Sequence, residues 1–332
     1  MQQQPNKKRA SKKVLISTLI ICVIILVLAM NYTFISDAIL AIGYEPTPEM
    51  QDIIDSDNLT SVGNHIAMAT QPQLQESADF NEACPNSNEN ASILGCFGDN
   101  QIHIHNVTDD GLAGILEATF AHELLHAVWA RMLPWERASL EESISQVYQS
   151  NQDLHKHMEL YADDSFYDEL HSVIGSQISC DDMPDNLCSH YKKYFNDQTK
   201  IVAYYTNYSD KFNELAERAK ELEKQIEEYR VQIEKLQENY DKEGATLSDD
   251  INTFNARAKN GYFKTTSEFE AAHSALVLRQ TALNKEYETL SDAVISANKL
   301  IEEYNANIAR SNELQRAIDS KAEQPGQSDI NN

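Results

Sequence analysis

Positive charge is scarce in this 332-residue chain: 27 Lys and Arg stand against 52 Asp and Glu, a formal net charge of −25. A phosphate backbone would be repelled by such a surface, which excludes nucleic acid as the main partner. A second scarcity is local. Between Lys13 and Asp37 there is no charged residue at all, and the run VLISTLIICVIILVLAM, residues 14–30, has only Ser17 and Thr18 as polar interruptions. The first thirteen residues have no acid and carry Lys7, Lys8, Arg9, Lys12 and Lys13. About twenty apolar residues cross a bilayer. The reading is therefore a cytoplasmic basic tail at 1–13, a transmembrane helix at 14–35, and everything after it outside the cell membrane. A cleaved signal peptide ending near Ala29 is the competing reading, but the apolar run exceeds the usual signal-peptide core.

Cysteine is also rare, with five in all. Cys22 falls inside the apolar run, and no lipobox-like Cys follows it. The other four lie close together in pairs, Cys84 with Cys96 and Cys180 with Cys188. Their gaps match no common zinc-ribbon spacing. In an exported chain the expectation is two short-range disulfides.

What is present begins with organisation. Residues 37–100 are rich in turn residues. QIHIHNV, 101–107, alternates as a strand does, and as the edge of a sheet it would line a groove. Thr108, Asp109 and Asp110 offer helix caps before a helical pattern from Leu112 to Met132. Pro134 then stops that helix or opens the next, whose first turns carry Glu136, Glu141 and Glu142. The last third shows heptads: Leu215, Leu222, Tyr229 and Leu236 interleave with Ala219, Ile226, Ile233 and Tyr240. A second seam joins Leu276, Leu283, Leu290, Ala297 and Tyr304 with Tyr287, Val294, Ile301 and Ile308. Between them, 241–266 contains Gly244 and Gly261 and loses the pattern. The fold expected is α+β, mainly α. It comprises a mainly helical domain with a small sheet at 37–205, a long antiparallel coiled-coil hairpin at 206–320 and a polar tail at 321–332. The hairpin could serve as a spacer, a homo-oligomer contact or a surface for a partner protein.

The chemistry centres on AHELLHAVWARM, residues 121–132. With 10 His in the chain, H-E-x-x-H arises from composition alone in roughly one chain in forty, so context must support it. On a helix, His122 and His126 share one face and can grip one ion. Glu123 is then placed to take a proton from a metal-activated water and pass it to a leaving amine. A metzincin would continue with Gly and a third His, but Trp129 and Met132 stand there. The third ligand would then be a downstream carboxylate, with Glu141, Glu142, Glu159 and Glu169 as candidates. Glu159 opens E-L-Y-A-D, whose Asp163 could orient a ligand histidine.

Several segments carry a resemblance: LGCF, IHIHNVTDDGLAGILEATFAHELLHAVWARM, ELYADD, DELHSVIGSQ and HYKKYFNDQTKIVAYYTNY. Over residues 94–205 the chain resembles a family of bacterial membrane-anchored, gluzincin-like zinc metallopeptidases. INTFNARAKNGYF and EEYNANIARSNEL look like the coiled-coil tail common on such proteins. The resemblance implies one Zn²⁺ per chain, a protein or peptide substrate, and Glu169 rather than Glu159 as third ligand. It departs at Gln177, where relatives tend to carry Glu. That departure keeps open a different class of function, a silent zincin-like domain on a coiled-coil scaffold that binds a partner without cutting it. His171 could stabilise an oxyanion, support a ligand or be structural. His103 and His105 read as strand-surface residues, and Tyr161, Tyr191 and Tyr194 as core aromatics, with transition-state donors as the alternative. His155, His157 and His190 take no assigned role.

Overall fold

The computed structural model describes residues 17–22, 32–85, 93–159, 161 and 165–322. The basic tail 1–13, most of the 14–35 segment, Asp163 and the end of the polar tail lie outside these. Among the described residues no helix is long and apolar enough to cross a membrane. The architecture is mainly helical, with one small sheet and a long C-terminal helical hairpin. The chain divides into two units. One holds the described residues up to Asp210 together with those from Leu314 on, and the other runs Lys211–Glu313.

In the first unit, α1 (Tyr32–Leu40), α2 (Pro48–Ser56) and α3 (Ser61–Ala69) precede β1 (Gln73–Gln75) and α4 (Ser77–Ala83). Thr47 and Thr60 cap α2 and α3 with their hydroxyls. β2 (Gly95–Gly98) and β3 (Gln101–His105) complete a three-stranded sheet of order β1-β3-β2. β3 runs parallel to β1 and antiparallel to β2. QIHIH is therefore a central strand, not the edge expected from its alternation. Ile102 and Ile104 point into the core, while β1 and β2 take the two edges.

The helical pattern after the strand starts later than expected. Asp109 caps a single 3₁₀ turn, Asp110–Leu112, by accepting from the Gly111 N–H. Gly114 then sits at φ +95°, with its α-carbon against the Tyr204 carbonyl, where a Cβ would come within 2.8 Å. Only beyond it does α5 (Ile115–Arg131) begin. Pro134 opens α6 (Pro134–Ser150), and Glu136 accepts from the Leu133 N–H to cap it. α7 (Gln152–Met158), α8 (Phe166–Gln177) and α9 (Asp185–Tyr191) follow.

α5 is the central element. Phe120, Leu124, Leu125 and Val128 are buried in a cluster with Leu170, Val173 and Ile174 of α8. Gly175 makes this packing close, because a Cβ there would lie 2.5 Å from Leu125 and 2.4 Å from Tyr191. Gln198, almost fully buried, donates to the carbonyls of Gly175 (3.0 Å) and Ile178 (2.7 Å) and so closes the end of α8. Both expected disulfides are present, Cys84–Cys96 and Cys180–Cys188. The first ties α4 to the edge strand.

The second unit is formed by the greater parts of α10 (Gln198–Lys259, 62 residues) and α11 (Thr266–Ile318, 53 residues). They run antiparallel: Asn307 donates to the Leu215 carbonyl, Tyr304 to Glu223, and Arg279 pairs with Asp250. The heptad on α10 does not lapse at 241. It continues through Gly244, Leu247, Ile251, Phe254 and Ala258, all turned inward, and only residues 260–265 form the turn. On α11 the column Leu276, Leu283, Leu290, Ala297 and Tyr304 is in the seam as expected. Its companion column is Arg279, Glu286, Ala293, Leu300 and Asn307, whereas Tyr287, Val294 and Ile301 are exposed. The more apolar of two heptad columns is thus left outside.

Candidate metal centre

α5 presents His122 and His126 one turn apart on the side facing α8. Their Nε2 atoms lie 3.1 Å from each other. The first turn of α8 delivers Glu169 to the same point: Oε1 is 3.6 Å from His122 Nε2 and Oε2 is 3.4 Å from His126 Nε2. These three residues offer ligand atoms that all fall within 4.8 Å of one another, a group able to hold a metal ion. Glu159, the alternative ligand, is exposed at the end of α7. Glu141 and Glu142 are likewise exposed, on α6. Gln177 closes α8 eight residues, or about 12 Å, beyond Glu169.

The surroundings orient these groups. Asp168 Oδ1 lies 2.8 Å from His126 Nδ1 and accepts a hydrogen bond from it, which aims Nε2 at the site, where an ion would take the place of its proton. Ser176 on α8 donates its hydroxyl to the Ser172 carbonyl at 2.7 Å, and its oxygen faces His122 Nδ1 at 3.5 Å. Both ligand histidines are thereby turned with Nε2 inward. The charges fit the same picture. Burial pushes His122 down to about 4, despite the neighbouring Glu169 carboxylate. Burial opposes charge on His126 too, but its hydrogen bonds to the Asp168 and Glu169 carboxylates overcome it and raise this histidine well above its ordinary value. Burial would also raise Glu169, yet hydrogen bonds to His126 and His157 hold it well below the usual carboxylate range. A carboxylate kept ionised beside imidazole nitrogens is a donor set suited to a divalent cation.

Glu123 is buried next to this group. Its neighbour is Gly95 of the edge strand, where a Cβ would come within 2.7 Å of Glu123 Cγ and 2.9 Å of Oε1. Burial pushes the Glu123 carboxyl up to about 7, with Glu169 and Asp168 adding to the rise and His126 opposing it. A bound cation would draw that value down.

His157, which had no assigned role, and Tyr161, read above chiefly as a core aromatic, lie beside this group. His157 Nε2 lies 3.5 Å from Glu169 Oε1. Tyr161 hydrogen-bonds Glu169, and burial with that carboxylate raises its phenol. Neither has a local signature, since both reach the site only through the packing of α7 against α8. Asp168 is likewise recognisable in the sequence only as the residue before Glu169. His171 is placed differently. It is completely buried, its Nε2 is 2.9 Å from His190 Nε2, and its ring packs on Trp129 and Tyr191. Tyr191 donates to the His171 carbonyl at 2.8 Å. His105 is buried with Ser77 Oγ 3.1 Å from its Nε2, and His103 Nδ1 is 3.1 Å from Gln75 Oε1. His155 packs on Tyr148.

Comparison with family models, curated proteins and solved structures returns no match.

Proposed function

We propose that the chain is a zinc-dependent peptidase anchored in the cell membrane, with its catalytic unit on the outer face. The observation that supports this most strongly is the convergence of His122, His126 and Glu169 with Glu123 buried beside them. Two imidazoles and one carboxylate form the three-ligand set of catalytic zinc sites, which keep a further position open. Zinc held there would polarise a peptide carbonyl and bring the pKa of water towards neutrality. The long apolar run after a basic tail and the two disulfides support an exported location.

The chain's own groups then divide the work. Asp168 fixes the His126 ring through Nδ1. Glu123 accepts a proton from the attacking water and returns it to the leaving amine nitrogen, its side chain occupying the space that Gly95 leaves free. His157 and Tyr161, beside Glu169, are the candidate donors to the oxyanion of the tetrahedral intermediate. His171 is committed to His190 and serves the core. An extended peptide laid along β2, the edge strand, would add to the sheet and pass next to Glu123.

The test uses the purified full-length chain, a peptide library and mass spectrometry of the products. Cleavage should stop on chelation and return with zinc. Glu123→Gln should retain the metal and lose at least about 10³-fold in rate, as expected when a general base is removed from a water-activating site. Undiminished cleavage by that variant would refute the role of Glu123. Bound zinc without cleavage by the wild type would favour a partner-binding scaffold.

A further inference from the structure

Apolar exposure in the first unit is confined to one corner. Among the described residues from Tyr32 to Asp210, six of the exposed large hydrophobic side chains are on α1 and the loop after it: Tyr32, Phe34, Ile35, Ile39, Leu40 and Ile42. The other three are Val62 in the first turn of α3, and Leu133 and Trp135 where α5 turns into α6. These elements are neighbours. Phe34 stacks on His65 of α3 with ring centroids 4.0 Å apart, and Arg131 at the end of α5 donates to Asp37 of α1 at 2.9 Å. Thr33, Val62, Met132 and Glu136 border a single cavity. Charge is withdrawn from the same corner. Asp37 is the only charged residue between Lys13 and Glu45, and it is buried against Arg131. α3 has no Asp, Glu, Lys or Arg. Of the charged groups at the cavity, Glu136 is held by the Leu133 N–H, and Lys193 adds a positive charge. Glu141 and Glu142 come six and seven residues after Trp135, about 9–10 Å along α6, which limits the apolar face to the start of that helix.

We propose that this corner seats the metal-bearing unit on the outer leaflet of the bilayer, with α1 at the interface and Val62, Leu133 and Trp135 dipping in beside it. The proposal rests on the reading of residues 14–35 as a membrane anchor. That span already takes in the first turn of α1, Tyr32 to Ile35, which makes lipid the surface that α1 meets first. Each exposed hydrophobic side chain of the unit then faces lipid instead of water. Tyr32 and Trp135 are of the residue types that settle at the headgroup level. The Asp37–Arg131 ion pair ties α1 to the end of α5, so the ligand histidines move with the seat. Arg131 follows His126 and His122 by five and nine residues, about 8 and 14 Å along the helix. The metal centre is therefore held close to the bilayer, with membrane-proximal peptide segments within its reach.

The test is tryptophan fluorescence of the purified full-length chain, reconstituted in phosphatidylcholine vesicles whose acyl chains are brominated near the headgroup. Trp129 and Trp135 are the only tryptophans, 7% and 68% exposed, so the difference between wild type and Trp135→Phe reads Trp135. Its emission should lose the larger part of its intensity in brominated vesicles relative to unbrominated ones. In the Trp135→Phe background, Ile39→Trp should be quenched likewise. Asp110→Trp, exposed at the far end of α5 and about 26 Å from the corner, should not be. Flotation separates the anchor from the seat. A chain that fails to float with the vesicles overturns both. One that floats with Trp135 unquenched overturns the seat and leaves the anchor standing, as when the face is turned to a second copy. Equal quenching at 39 and 110 would also overturn the seat.

Discussion

At the residue scale, the site depends on small allowances of space and on fixed tautomers. Gly95→Ala would drive a methyl group into Glu123, and the edge strand must move to admit it, at a cost of about 1–3 kcal/mol. The expected outcome is a rate loss of about tenfold or more with zinc content unchanged, read by peptide cleavage and metal analysis. Asp168→Asn removes the carboxylate that holds the His126 tautomer. Zinc affinity should fall about 10- to 100-fold, measurable by competition with a chromogenic chelator. The sequence made His122, Glu123 and His126 legible because their spacing alone puts two histidines on one face. Glu169 was favoured only by resemblance, and Asp168, His157 and Tyr161 were not legible as a set. Their approach depends on how α8 and α7 pack on α5, and no local pattern encodes that.

At the element scale, α8 and α9 share a buried histidine pair with a calculable pH signature. Burial pushes His190 down to about 4 and His171 well below its ordinary value. An unfolded histidine titrates near 6.5. Between about 6.5 and 4 these two histidines therefore bind fewer protons in the folded chain than in the unfolded one, and their contribution to stability falls as pH drops through that window. In thermal melts of the chelated protein His122 contributes in the same direction and Glu123, held protonated up to about 7, in the opposite one, so the pair's share is read as the difference from a variant lacking it. A His171→Leu/His190→Leu variant, which replaces both partners with apolar groups, should flatten the slope without abolishing folding. The hairpin shows where element-level reading succeeds and fails. The α10 heptad was plain, but Gly244 within a seam position hid its continuation to Ala258. On α11 hydrophobicity pointed to Tyr287, Val294 and Ile301, whereas pairing with α10 buries a column containing Arg279, Glu286 and Asn307. A two-helix seam is chosen by geometry with its partner, so the more apolar column need not win.

At the scale of the whole molecule, the division into a small α+β unit and a helical hairpin was evident from the change of periodicity after residue 206. The exact limits were not, because the last residues of α11 and the turn after it belong with the first unit. Ser320 exchanges two hydrogen bonds with Asn81 of α4, at 2.7 and 2.8 Å. Position in the chain gives no hint of such a return. The account as a whole depends on one donor set drawn from two helices, α5 and α8. The most direct measurement is the zinc content of the full-length chain after dialysis against limiting free metal. The wild type and Glu159→Ala should each hold one zinc per chain, and His122→Ala and Glu169→Ala should hold little. Stoichiometric zinc in Glu169→Ala, or none in the wild type, would contradict the assignment of this centre.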